Sequence, residues 1–352
     1  MALQKIPGRA IQFDSQANSD VMYFDGTDWV RLAKGEAGQV LTVNETATAP
    51  QWGNYFSYGG TEFGYCVMGI HSGPTDEPEV DKFSFTSDGN AVHHCDAFSR
   101  GSHMSCTRST THGYVNGGEI LPHYSTTNRI TKFSFASTVD GTDVGDLLQA
   151  LGQQCGNSSG THGYCSGGQG NPVASFPAVD TIQKYSVTTD ANATDVGNLT
   201  VVKNQPASAN SQSHGYVMGM HPPSSDIIEK FSFSTDGNST DVANLSVARG
   251  AGCGCTSETH GYMCAGLSGG VYTNIIDKFE FATDGNSVDV GDLPQITGNL
   301  GGSSSTTHGY CLAGYQNWTD RIQKFSFSTG TQNASNIGDL VVGREMTDGT
   351  QN

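Results

Sequence analysis

The tripeptide His-Gly-Tyr recurs in this 352-residue chain at Tyr114, Tyr164, Tyr216, Tyr262 and Tyr310, and a degenerate copy, Phe63-Gly64-Tyr65, precedes them. From Tyr65 onward the successive tyrosines are separated by 49, 50, 52, 46 and 48 residues. A period in this range marks a propeller, a solenoid or an array, in which each unit is too small to bury its apolar face alone. Six copies of one unit therefore fill almost everything after residue 53. Residues repeated in every copy are expected to serve the fold, and function to lie in what differs between copies.

One copy reads as four short strands. From Arg249 a Gly/Ser-rich segment leads into Thr259-His-Gly-Tyr-Met-Cys-Ala-Gly266, then come a variable loop, Ile276-Asp-Lys-Phe-Glu-Phe281, a Thr-Asp-Gly-Asn turn ending at Asn286, and Val288-Asp-Val-Gly-Asp-Leu293. Turn residues at these intervals punctuate strands rather than helices. The third strand is the most regular, with Ile130-x-Lys132-Phe133-x-Phe135 and Ile228-x-Lys230-Phe231-x-Phe233 as examples. Its two-residue period sends the aromatics to one face and the Ile with the Lys stem to the other. A sheet that is apolar on both faces suits a blade stacked between two neighbours. With 46 glycines, only 14% charged residues and no convincing 3.6-residue period, the chain is expected to be all-β.

Charge and cysteine usage remove several classes of function. A formal net charge of −17 without a basic cluster would repel nucleic-acid phosphates and anionic membranes. The N-terminus lacks the apolar run of a signal peptide and nothing approaches a membrane span, so synthesis as a soluble cytosolic protein is expected, without membrane insertion. After the repeat tyrosine, cysteine (Cys66, Cys165, Cys311) alternates with Val115, Val217 and Met263, as expected of a small buried hydrophobe. Cys253-Gly254-Cys255 is too closely spaced for a usual zinc knuckle and no matching pair follows at metal-site spacing, so neither a metal nor a disulfide is expected there.

The succession of Gly-rich strand, Tyr-x-x-Gly-Gly strand, variable loop and aromatic strand resembles kelch repeats, most clearly at Gly113-Tyr-Val-Asn-Gly-Gly118 and Gly163-Tyr-Cys-Ser-Gly-Gly168. The resemblance covers about six sevenths of the chain. It departs from the family after the third strand, where Val-Gly-Asp-Leu or a variant stands in place of the usual tryptophan. It implies a six-bladed β-propeller over residues 54–352. The last copy continues into Val341-Val-Gly-Arg-Glu-Met-Thr-Asp-Gly-Thr-Gln-Asn352 and stops where the next His-Gly-Tyr would begin. This tail is expected to complete the blade begun at Phe63, which would remove an exposed sheet edge; residues 54–61 are the competing donor.

Residues 1–53 follow another pattern, with short strands around Asp25-Gly26 and too little apolar mass to fold securely alone. Gly35-Glu-Ala-Gly-Gln-Val-Leu-Thr-Val-Asn44 and Thr48-Ala-Pro-Gln-Trp52 look like the linker modules near the N-termini of tailed-phage fibre and other virion proteins. Repeats ending in variants of Asp-Val-Gly-Asp-Leu are also similar to those of marine-phage structural proteins. The resemblance implies attachment to other virion proteins through this segment, with Phe24, Trp29, Leu41 and Trp52 as contact residues, and homo-oligomerisation.

Candidate chemistry is sparse. The histidines His112, His162, His214, His260 and His308 have Phe63 as sixth counterpart, and equivalent blade positions lie too far apart to share an ion at about 2 Å. A structural hydrogen bond at the strand entrance is expected instead. Turns such as Asp236-Gly-Asn-Ser-Thr-Asp241 resemble pieces of calcium loops but lack the remaining ligands, and Asp-Gly and Asn are ordinary hairpin residues. No nucleophile elbow or isolated acid pair occurs, so catalytic residues and cofactors are not expected. What varies is the loop between the second and third strands, and alternating strand direction places these loops on one face. They carry His71, Tyr124, Phe176, His221, Tyr272, Tyr315 and Trp318. Aromatics among Asn, Gln and Asp suit stacking on sugar rings. The resulting expectation is a virion-located fibre, adhesin or capsid decoration that recognises a host glycan or protein. The alternative is an intracellular protein-binding scaffold.

Overall fold

The computed structural model describes residues 20–35, 39–43, 49–54, 56–71, 78–97, 100–120, 125–170, 177–315, 318–328 and 330–352. Among these there are strands and turns but no helix, and hence none long and apolar enough to cross a membrane. The chain divides into two compact units, Met1–Phe56 and Ser57–Asn352.

In the first unit, Val21–Phe24 pairs antiparallel with Trp29–Leu32, and Gln39–Val43 with Pro50–Asn54. Asp25 closes the first hairpin by accepting the Thr27 and Asp28 backbone N–H groups, both at 2.8 Å. Asp20 anchors its base through the Arg31 guanidinium at 2.7 Å. The Phe24 and Trp29 rings meet edge to face at 5.8 Å and are respectively 54% and 47% exposed, and Leu41 is also exposed. Trp52 is half-buried, donates its ring N–H to the Ala33 carbonyl and covers Gly35, where a Cβ would come within 2.6 Å of the indole. It thus holds the segment together internally.

Among its described residues the second unit contains six four-stranded antiparallel sheets, an arrangement consistent with a β-propeller. The first sheet holds Phe63–Val67, Glu79–Ser84 and Val92–Asp96; the second starts with Ser105–Arg108, the third with Cys155–Ser158, the fourth with Ala207–Asn210, the fifth with Cys253–Thr256 and the sixth with Gly301–Ser304. The missing strand of the first sheet is Asp348–Gln351, pairing Asp348 with Val67 and Gln351 with Gly64. Of the two candidate donors, the C-terminal segment is the one hydrogen-bonded there. Each of these leading strands packs on that of the next sheet, and Asp348–Gln351 packs both on Gly301–Ser304 and on Ser105–Arg108.

Each letter of the His-Gly-Tyr repeat has a separate mechanical task. The histidine ends a tight turn in which a serine hydroxyl, Ser109 or Ser159 for instance, accepts its backbone N–H, while the neighbouring Thr hydroxyl meets His Nδ1 at 2.8–2.9 Å. This is the expected hydrogen bond at the strand entrance. The glycine makes room for the third strand's aromatic: a Cβ on Gly113 would lie 2.3 Å from the Phe133 ring, and one on Gly309 equally close to Phe325. The tyrosine crosses to the next sheet and lies against its aromatics. Tyr164 packs on Phe231 and Phe233, Tyr216 on Phe279 and Phe281, Tyr262 on Phe325 and Phe327, and Tyr310 returns to Phe83 and Phe85 of the first sheet.

Polar residues repeat the same linkage. Lys132 reaches Asp190, Lys184 reaches Asp236, Lys230 reaches Asp284 and Lys324 reaches Asp88, always from one sheet to the turn after the third strand of the next. The turn asparagine accepts a backbone N–H from the preceding sheet, as Asn238 does from Asn198 and Asn90 from Asp339. The turns that resemble pieces of calcium loops are thus occupied in joining sheets. Just before the lysine of the third strand, Asp81, Gln183, Glu229 and Asp277 are fully buried and accept the N–H of the connecting segment at Val341, Leu148, Thr200 and Ser246. Three of them, Asp81, Glu229 and Asp277, also pair with the buried basic side chains of Arg344, Lys203 and Arg249.

Gly309→Ala forces its methyl into Phe325 and is expected to cost about 1–3 kcal/mol of unfolding free energy, read by urea denaturation. Asp348 is buried on the closing strand, and burial raises it to about 7 from 3.8, against hydrogen bonds from Gly349 and Cys106 N–H. The folded chain therefore keeps a proton that the unfolded chain releases, so the stability tied to it is complete below about pH 4 and is lost as pH rises through 7. The slope for one group cannot exceed about 1.4 kcal/mol per pH unit. Asp348→Asn should remove it, so that the variant's advantage in Tm over wild type grows between pH 4 and 7 and then levels off.

Candidate functional site

The loops between second and third strands meet along part of one edge. His221 hydrogen-bonds through Nδ1 to the Ser224 hydroxyl at 3.3 Å, and burial lowers its pKa. The same hydroxyl accepts the Gly269 N–H of the fifth sheet's hairpin at 3.1 Å. On that hairpin, Tyr272 lies against Tyr315 of the sixth sheet's loop, with centroids 4.9 Å apart and planes inclined by 31°. Three successive loops are thereby linked.

Local backbone chemistry holds the pair. The Tyr315 N–H donates to the Gly298 carbonyl and the Thr297 hydroxyl donates to the Tyr315 carbonyl, both at 2.8 Å. Gly298 also clears space for Tyr272, whose ring would stand 2.7 Å from a Cβ there. Three residues beyond Tyr315, Trp318 adopts φ 46°, a left-handed conformation unfavourable for a bulky residue. Thr319 N–H to Gly314 O and Arg344 N–H to Thr319 O brace it from the C-terminal side. Tyr315 and Trp318 are each 41% exposed, and Tyr272 is half-buried.

Of the seven expected loop residues, the structure brings Tyr272 and Tyr315 into contact and ties His221 to the adjoining hairpin. His71 is half-buried in the first sheet's loop, next to Ile70, which exchanges backbone hydrogen bonds with Glu345. Tyr124 and Phe176 lie outside the described residues.

A second feature is a cavity of about 130 Å³ where the leading strands converge, with Arg108, Cys155, Asn210, Gly254, Ser304 and Asp348 among its walls. Arg108 donates to the carbonyls of Ser57 and Gln351, and the Gln351 amide donates to Tyr58 O at 2.7 Å, so peptide groups occupy these polar side chains. The cavity is lined chiefly by small side chains and backbone.

The reading of the cysteines requires a correction. All nine are buried free thiols, but Cys253 and Cys255 are not isolated: their Sγ atoms and those of Cys264 and Cys311 all lie within 4.8 Å of one another. Cys264 is the cross-strand partner of Cys253, and Cys311 enters from the sixth sheet. Linear spacing hides this because the third and fourth sulfurs arrive by strand pairing and by sheet packing. Hydrogen bonds from the other thiols, first Cys253, hold Cys255 well below the usual thiol range, whereas burial first pushes Cys264 up.

No family model matches the sequence, and no curated protein matches it. Among solved structures, the chain is similar to one described as "Structure of YjhT", with a TM-score of 0.62 at 10% identity over 79% of this chain and 98% of that one. At that identity the likeness shows a shared fold.

Proposed function

We propose that this chain is a phage virion protein in which a six-bladed kelch-like β-propeller is displayed by an N-terminal attachment segment and contacts the host surface, with carbohydrate as ligand. The observation that carries the reading is the Tyr272–Tyr315 pair with Trp318 exposed in the same loop. Flat aromatic faces held by backbone bonds suit the apolar faces of pyranose rings, and their fixed geometry lowers the entropy lost on binding. Neighbouring polar groups, such as Gln295 bonded to Arg321 at 2.7 Å, can serve sugar hydroxyls. The chemistry is non-covalent, and weak single contacts would be multiplied by many copies on one particle.

The N-terminal unit supports the attachment half of the reading. Phe24, Trp29 and Leu41 expose apolar surface on a segment with few buried side chains, as suits docking to other virion proteins. The likeness of its Gly-rich strand and Pro-Trp ending to phage linker modules supplies the choice of partner.

Immunogold labelling or cryo-EM of purified particles should locate the protein on the virion, and its absence from any particle would sink the virion assignment. On a glycan array, Trp318→Ala and Tyr315→Ala should each weaken binding about five-fold, equivalent to ~1 kcal/mol per stacked ring. Unchanged glycan binding by both variants would remove the aromatic patch from the site. Capture of a cytosolic protein by the same loops would favour a scaffold.

A further inference from the structure

We propose that Cys253, Cys255, Cys264 and Cys311 form a tetrathiolate site for a single soft divalent metal ion, zinc by preference, joining the fifth and sixth sheets. Zinc–sulfur bonds of about 2.3 Å place the corners of a tetrahedron ~3.8 Å apart. Here the Cys253 and Cys311 sulfurs stand 3.5 Å apart, and no pair exceeds 4.8 Å. Small adjustments of side-chain torsions would therefore complete the coordination. An iron–sulfur cubane would hold its thiolates further apart than one ion does.

Packing alone does not call for four sulfurs at this place. Strand register identifies the corresponding residues one interface earlier as Ala207, Ala209, Met218 and Met263. That interface is equally buried, with none of the four more than 4% exposed. The fold thus fills the same four positions without cysteine. Two interfaces earlier still, they are Ser105, Thr107, Asn116 and Cys165, a polar set in which Thr107 and Asn116 both bond Tyr185. Among the described residues, only the interface between fifth and sixth sheets gathers four thiols in this register.

Binding is a proton-releasing exchange: four thiols give up to four protons and the divalent ion takes four thiolates, leaving the site with two negative charges. The metal changes no oxidation state. Three ligands come from the fifth sheet and one from the sixth, so the ion would act as a cross-link within the ring and resist separation of these sheets.

The test uses the full chain purified under reducing conditions without chelator. Elemental analysis should find about one zinc per chain, and a mercurial should release it. Replacing zinc by Co(II) should give intense thiolate-to-metal charge-transfer and tetrahedral d–d bands. The variant Cys253→Ala, Cys255→Ala, Cys264→Met, Cys311→Met copies the preceding interface; it should hold less than about a tenth of the wild-type metal, and its Tm should no longer respond to chelator. Because the cobalt spectrum is read on the wild-type chain, the test survives a variant that fails to fold. Reduced wild-type protein that takes up neither zinc nor cobalt would overturn the proposal, as would unchanged metal content in a folded variant. Mass spectrometry showing these cysteines joined in disulfides in freshly isolated protein would do the same.

Discussion

The structure depends on one contact made again and again: a tyrosine from the second strand of a sheet laid against aromatics at the end of the third strand of the next and just beyond it. Tyr65 stacks on Phe135 at 4.9 Å and Tyr310 lies 4.8 Å from Phe85, so the series runs from the first sheet and comes back to it. Such contacts combine a large apolar area with a preferred ring geometry. The hydroxyls of Tyr65, Tyr114, Tyr164 and Tyr216 find carbonyls across the interface, at Phe135, Val187, Phe233 and Phe281. The glycine before each tyrosine is bound to the same contact, because it leaves space for the aromatic of its own sheet.

Around this apolar joint the polar groups work in parallel. Lysines reach the next turn's aspartate, turn asparagines accept backbone N–H groups, and a buried acceptor in the third strand terminates the connecting segment. Exposed pairs of the Lys–Asp kind contribute little each, typically under about 1 kcal/mol. Their value lies in repetition and in fixing register between sheets. The pairs Lys203–Glu229 and Arg249–Asp277 are different, since both partners are fully buried and removing one leaves an uncompensated charge.

Much of this was readable beforehand. The repeat, the four-strand unit and the two-faced third strand follow from periods of two residues and from turn chemistry, which are local. Tyr315 and Trp318 could be singled out as loop aromatics because they break the repeat. That Tyr272 would meet Tyr315 could not, since their contact depends on how two sheets are placed. The role of Trp52 was similarly concealed: its contact with Gly35 and Ala33 arises from the folding of the segment on itself.

The cysteines show where the two kinds of information separate. The sequence by itself determined that the chain is built of repeated β units and that cysteine substitutes for small apolar residues within them, because burial and side-chain alternation are properties of each strand. Only the tertiary structure decided that Cys311 stands 3.5 Å from Cys253, that Asp348 binds Cys106 N–H across 242 residues of chain, and that the C-terminal strand rather than residues 54–61 completes the first sheet. The physical reason is that these neighbours are set by strand register and by sheet-on-sheet packing. Both are collective results of the whole fold and leave no mark at a fixed sequence spacing.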